Sequence, residues 1–208
     1  MKLDPETEFF NGLIELQYGQ EDLGKMKKLA SGVSWAKGWP SDNVSFWNAE
    51  AFMWGHKVSA EKRKAITTEL KFLENGENLD LGCGAYSYVK SVGFDFSAKM
   101  LQGNDNCVKK VVGDLEKELP FGAGSFDSVT LVFVLNYVNN YLGLLREIKR
   151  VLNGTLMVVL SQNKINDWQK QKEVNSFPSS KWVSILESVG FFVNFYEKEG
   201  LWFFKCSK

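Results

Sequence analysis

The stretch Asn78–Leu101, NLDLGCGAYSYVKSVGFDFSAKML, decides the fold. A short apolar run ends in an acid, Asp80, and opens into Gly82-Cys83-Gly84. Fifteen residues after Asp80 a second run, VGFDF, reaches Asp95. Working outward, KKVVGD (109–114) ends in Gly113-Asp114, and SFDSVTLVFVL (125–135), GTLMVVLS (154–161), FFVNFYEK (191–198) and LWFFKCS (201–207) follow. Continuous apolar runs of this length indicate strands covered on both faces, as in a parallel sheet. The last two runs, joined at Glu199-Gly200, read as a terminal antiparallel hairpin.

Helical patterns lie between the runs. Residues 59–74 place Ile66, Leu70 and Leu73 on one face behind a Ser59 cap. Residues 140–152 group Leu144, Leu145, Ile148, Val151 and Leu152 before Asn153-Gly154. Residues 178–190 turn Trp182, Ile185, Leu186 and Val189 inward between a Ser179 or Ser180 cap and Gly190. Strand alternating with helix predicts an α/β fold with a doubly wound, mostly parallel seven-stranded sheet and a C-terminal antiparallel hairpin. The texture changes near residue 76. Residues 1–75 are expected to form an N-terminal helical, aromatic-rich cap or lid, and residues 76–208 a nucleotide-binding α/β core, together one domain.

The whole chain agrees with a soluble globular protein. Its 208 residues suit one domain with a full core, and 44% of them are apolar against 24% charged. Lys+Arg and Asp+Glu are both 25, which argues against a dedicated nucleic-acid binder. No apolar run approaches the roughly 18 residues of a membrane span. The N-terminus, MKLDPETEFF, lacks the apolar core of a signal peptide. Three widely spaced cysteines, Cys83, Cys107 and Cys206, fit a reduced protein, so a cytoplasmic location without membrane association is expected.

In open α/β sheets ligands sit beyond the carboxyl ends of the strands. Asp80 with Gly82-Cys83-Gly84, then Asp95, then Asp114 are each presented there. The glycines let the backbone turn sharply and approach a ligand, although alone they would equally make a plain tight turn. An acid ending the second strand can accept from a ribose diol, and one after the third from an exocyclic adenine amine. A carboxylate at Asp80 would repel a pyrophosphate and attract a cationic amino group. Ser87 stands where a dinucleotide fingerprint wants its third glycine. The expected ligand carries ribose, adenine and an amino acid cation, without a pyrophosphate.

On these residues the chain resembles class I S-adenosylmethionine-dependent methyltransferases, in the small-molecule branch similar to quinone-biosynthesis methyltransferases. The matching pieces are LDLGCGAYS, VGFDFSAKML, VVGDLEKELPF, SFDSVTLVFVLNYV and LLREIKRVLNGTLMVVL, in the family's order over about residues 77–161. The resemblance implies S-adenosylmethionine as cofactor and S-adenosylhomocysteine as product. It places Asp80, Gly82, Cys83 and Gly84 around the methionine part, and Asp95 with Phe96 at the ribose. Asp114 and Leu115 bracket the adenine, and Leu131 and Val132 pass near the sulfonium. Two departures stand out. Tyr86 replaces a frequent third glycine, and AYSYVKSV leaves only one or two helical turns between the first two strands.

Four of seven tryptophans lie between residues 35 and 54, followed by His56, the only histidine. They read either as a small core fastening the N-terminal helices or as an aromatic lid, and the two are compatible. His56 and Tyr137 are the candidate bases should the acceptor need one. Asn136 could orient a substrate, and Arg63 could pair with the cofactor's carboxylate. No metal-ligand spacing and no nucleophile elbow occur. The expected activity is in-line methyl transfer to a small molecule, with a protein or tRNA acceptor also compatible. Alternatives are a cofactor-binding regulatory or sensor protein without turnover and, opposed by Asp80 and Ser87, a nicotinamide-dependent reductase.

Overall fold

A computed structural model of the chain describes residues 3–17, 19, 22–162 and 170–208, with backbone alone at 17 and 52–56. Its seven strands are β1 (Asn78–Leu81), β2 (Ser91–Asp95), β3 (Cys107–Val112), β4 (Phe126–Val132), β5 (Leu152–Ser161), β6 (Phe192–Lys198) and β7 (Leu201–Ser207). They form one sheet in the order β3-β2-β1-β4-β5-β7-β6. The pairs β1–β2, β2–β3, β1–β4 and β4–β5 are parallel, and β7 runs antiparallel to both β5 and β6. Chain order reverses between β1 and β4, which is where an open sheet of this kind offers its crevice.

Side-chain alternation divides the core in two. Leu79, Leu81, Val129, Leu131, Leu156 and Val158 face α6 (Tyr141–Val151) and α7 (Ser179–Ser188), whose Leu144, Leu145, Ile148, Trp182 and Leu186 complete the larger cluster. On the opposite face Met157, Val159, Phe133 and Phe203 meet Ile66, Leu70 and Leu73 from α4 (Ala60–Leu70) and the turn after it. The remaining helices are α1 (Pro5–Gln17), α2 (Leu23–Ser31), α3 (Asn43–Lys57) and the short α5 (Ala98–Gln102). Phe9, Met26, Trp39 and Phe46 make a separate small core among α1, α2 and α3.

Helix ends follow the local chemistry. Ser59 accepts from the Lys62 N–H at 3.3 Å, and Asn140 caps α6 through the Gly143 N–H at 3.1 Å. At α7 the cap expected from Ser179 or Ser180 is replaced by Pro178, which provides no side-chain bond. Helix α6 also stops before Asn153-Gly154, because Leu152 already belongs to β5.

The largest departure from expectation is the first crossover: residues 82–90 contain no helical turn. Gly82 and Gly84 both take positive φ, 64° and 56°, which turns the chain away from a helix at its outset. Side chains from the loop before β3 then hold the segment. Asn104 Oδ1 accepts from the Ser87 N–H at 3.2 Å, its Nδ2 donates to the Gly84 carbonyl at 3.1 Å, and Asn106 Nδ2 donates to the Ser87 carbonyl at 2.6 Å. Tyr88 and Val89 drop into the α4 cluster. The crossover thus packs against α4 as a loop rather than as a helix of its own.

Among the described residues no helix is long and apolar enough to cross a membrane.

Candidate functional site

A cavity of about 500 Å³ opens at the carboxyl edge of β1, β2, β3 and β4, within the range of small-molecule sites. Asp80, Gly82, Cys83 and Gly84 line it from β1 and its turn. Asp95 and Phe96 come from the end of β2, and Asp114, Leu115 and Glu116 from beyond β3. Val132, Phe133 and Val134 come from the end of β4. Tyr137 closes one side, and Asn43, Val44 and Trp47 of α3 roof it.

The glycine turn is shaped by close approach. A Cβ on Gly82 would stand 2.7 Å from Val134 Cγ2, so the two loops touch only because glycine is there. The Gly84 N–H donates to Asp95 Oδ2 at 3.0 Å, and the Ser97 N–H donates to Asp95 Oδ1 at 2.8 Å. Asp95 thus fixes its own strand end and the first turn together. A Cβ on Gly93 would collide with the sulfurs of both Cys83 and Cys107, which brings these thiols side by side beneath the turn.

Four carboxylates and no Lys, Arg or His line the cavity among the described residues. Burial pushes the Asp80 carboxyl up to about 6, against hydrogen bonds from Ser87 and Thr130 that favour its ionised form. Burial also raises Asp95, opposed by the backbone N–H groups it accepts from. Asp114 Oδ1 accepts from the Glu116 N–H at 3.0 Å, and Glu116 accepts from the N–H groups of Asn139 and Asn140 at 2.7 and 2.9 Å. These bonds hold the acids in place, while each carboxylate retains lone pairs for a ligand.

The cofactor-directed residues predicted from sequence line this cavity, with two exceptions, Leu131 and Arg63. Leu131 is fully buried in the α6–α7 cluster, because strand alternation turns it to the opposite face from Asp80, Thr130 and Val132. Tyr86, at the position of the missing third glycine, lines the cavity at its rim with 44% of its surface exposed, edge-on to Tyr88 at 5.1 Å. Arg63 lies outside the lining: its Nε donates to the Val58 carbonyl at 3.0 Å, and its guanidinium stands 6.0 Å over the Tyr86 ring. The side chain of His56 lies outside the described residues.

The aromatic segment serves two ends. Trp35 and Trp39 pack edge-on against Phe9 at 5.7 and 5.5 Å. Trp47 instead reaches the cavity and meets Tyr137 edge-on at 4.9 Å. Asn48, one residue on, accepts from Ser97 Oγ at 2.5 Å and ties α3 to the end of β2. Burial and the nearby Glu173 and Glu50 carboxylates push the Tyr137 phenol well above its ordinary value, so it stays protonated at neutral pH. Sequence reasoning did not single out Glu116, Met100, Val134, Asn43 or Val44, all of which line the cavity. Glu116, two residues past Asp114, carried the one usable signal, a second acid at the same strand end.

Phe133 has φ 60°, a conformation that strains a bulky residue by about 1–3 kcal/mol. Its N–H donates to the Val159 carbonyl at 2.8 Å, and its ring is buried. The strain bends the chain sharply off β4 and sets the ring at the cavity wall.

Comparison with known proteins agrees with this geometry. Residues 79–158 match the sequence model of a methyltransferase domain. Demethylmenaquinone methyltransferase of Staphylococcus aureus (strain JH9) is 37% identical over 121 residues, 50% of this chain and 48% of that protein. The chain therefore spans about half the length of the curated relatives it matches. An S-adenosylmethionine dependent methyltransferase from Mesorhizobium loti superposes with a TM-score of 0.58 at 17% identity, over 72% of this chain and 98% of that one. A chain in the complex between the Haloferax volcanii Trm112 methyltransferase activator and a methyltransferase gives 0.60 at 18% identity, over 77% and 96%. This chain has the class I S-adenosylmethionine-dependent methyltransferase fold, and its core is similar in sequence to demethylmenaquinone methyltransferases.

Proposed function

We propose that the chain binds S-adenosylmethionine in the 500 Å³ cavity and transfers its methyl group to a small-molecule acceptor. The observation that carries this reading is the charge of the lining: Asp80, Asp95, Asp114 and Glu116, with no basic group among the described residues. Such a lining attracts a cationic ligand and opposes a dianionic pyrophosphate. When bound, the cofactor supplies an electrophilic methyl group on a positively charged sulfur.

The protein's part is binding and alignment. In this reading Asp80 receives the amino group, and the Gly82-Cys83-Gly84 turn lets the backbone approach it. Asp95 accepts from the ribose diol, with Phe96 alongside. Asp114 accepts from the adenine amine, and Leu115 packs on the ring. Val132 and Phe133 stand at the reacting end. Trp47 and Tyr137 exclude water over it, and orientation can supply up to about 7–11 kcal/mol of the barrier. Tyr137, protonated at neutral pH, acts as a hydrogen-bond donor to the acceptor. Residues 1–75 serve as a cap on a single domain, and the protein works in the cytoplasm.

Calorimetric titration tests the reading. S-adenosylmethionine and S-adenosylhomocysteine should bind, and NADH should not. NADH binding without S-adenosylmethionine binding would overturn it in favour of a reductase. Binding followed by methyl transfer from labelled cofactor separates an enzyme from a sensor.

A further inference from the structure

A second, smaller cavity of about 110 Å³ adjoins the first. Phe133 and Tyr137 line both, so these two rings form the party wall. The other lining groups include Ser161 at the end of β5, Glu173, Phe177 and Trp202 of β7. Ser161, Glu173, Phe177 and Trp202 fall outside residues 79–158, so part of this cavity's wall comes from beyond the matched domain core.

Its chemistry is specific. Among the described residues Glu173 is the single charged group in the lining, and no ion pair to it occurs. The neighbouring Lys172 is turned away, donating to the Ser41 carbonyl at 2.8 Å and to Asn43 Oδ1 at 2.9 Å. The Ser161 hydroxyl oxygen is buried and has no hydrogen-bond partner among the described residues. Four rings, Phe133, Tyr137, Phe177 and Trp202, share the same small space. Aromatic faces with one carboxylate and an unused acceptor oxygen suit a compact cation that donates hydrogen bonds.

The loop that carries Glu173 is held in place. The N–H groups of Val174 and Asn175 both donate to the Asn136 carbonyl, at 2.8 and 3.1 Å. Asn175 Nδ2 donates to the Leu135 and Val138 carbonyls at 3.2 and 2.6 Å. The loop bearing Glu173 is thus fastened to the segment bearing Tyr137.

We infer that this cavity binds a protonated primary amino group of the methyl acceptor, held by Glu173 and the Ser161 hydroxyl within the ring of aromatics. The inference deepens the methyltransferase reading and rests on it for the word acceptor. An ammonium group has no lone pair to react. It is the handle that orients the acceptor, and the atom to be methylated lies toward the larger cavity, past Phe133 and Tyr137.

The test measures binding of 1-propylamine, protonated at pH 7, against 1-propanol and propionate, by ligand-detected NMR on the full chain. The amine should bind about tenfold more tightly than the alcohol, the size of a desolvated cation–π contact with a charge partner. Propionate should bind least. Glu173→Gln should remove the amine's advantage, and Ser161→Ala should lower amine affinity about threefold. Both variants should bind S-adenosylmethionine as the parent does. Equal affinity for amine and alcohol in the parent, or an advantage that survives in Glu173→Gln, overturns the inference. Should the parent fail to bind S-adenosylmethionine yet keep the Glu173-dependent amine preference, the methyltransferase reading falls and the amine site stands.

Discussion

Thr130 donates its hydroxyl to Asp80 Oδ1 at 2.6 Å, between residues that are register partners on the adjoining strands β1 and β4. The bond favours the ionised carboxylate, yet burial still pushes Asp80 up to about 6.

That balance predicts a pH response. The folded chain holds the Asp80 proton until about pH 6, whereas the unfolded chain releases it near 3.8. The buried carboxylate therefore costs stability progressively as pH rises from about 4 to 6, up to about 3 kcal/mol. Asp80→Asn should raise apo-protein stability in urea at pH 7 and leave it little changed at pH 4. The same variant should lose S-adenosylmethionine affinity. In the parent, calorimetric affinity should fall as pH drops through 6. Thr130→Val should move that midpoint upward.

Gly82→Ala should be costly. The position has φ 64°, and its new Cβ would meet Val134 at 2.7 Å. Left-handed strain and overpacking together predict a loss of about 2–4 kcal/mol in chemical denaturation. A stability within 1 kcal/mol of the parent would mean that the two loops part more easily than their contact suggests.

Asp95→Ala should act twice. It strands the N–H groups of Gly84 and Ser97, which predicts about 1–3 kcal/mol of destabilisation. It also removes the proposed ribose acceptor, a charge-assisted contact of about 1.5–3 kcal/mol, so cofactor affinity should fall roughly 10- to 150-fold. Calorimetry at a temperature where the variant remains folded separates the two effects.

Cysteine reactivity should be uneven. Hydrogen bonding with Cys83 and Ser87 lowers the Cys107 thiol below its ordinary value, at a half-buried position. Burial pushes Cys206 up to about 12. Iodoacetamide at pH 7.5, followed by peptide mass analysis, should modify Cys107 first and Cys206 least. Cys83→Ser should slow the reaction at Cys107.

Much of this arrangement is legible in the sequence for a physical reason. Asp80, Asp95 and Asp114 each end or follow an apolar run, and a parallel sheet brings such ends to one rim. Leu131 was misplaced because β4 is buried on both faces, so an apolar residue near its end can point to either one. The missing crossover helix was equally hidden. Its absence depends on Asn104 and Asn106, whose side chains reach back to Ser87 across 17 and 19 residues. What sets Trp47 apart from Trp35 and Trp39 is its contact with Tyr137, a residue 90 positions away in the sequence.

Roof and buttress are consecutive pieces of chain. Only Val58 and Ser59 separate α3, over the cavity, from α4, under the sheet, and Val58 is itself buried with the α4 cluster while its carbonyl accepts from Arg63. The two-residue joint therefore couples the placement of α3 to that of α4. Roof and buttress are consequently geared together: a substitution that loosens this joint over the cavity also slackens the underside of the sheet.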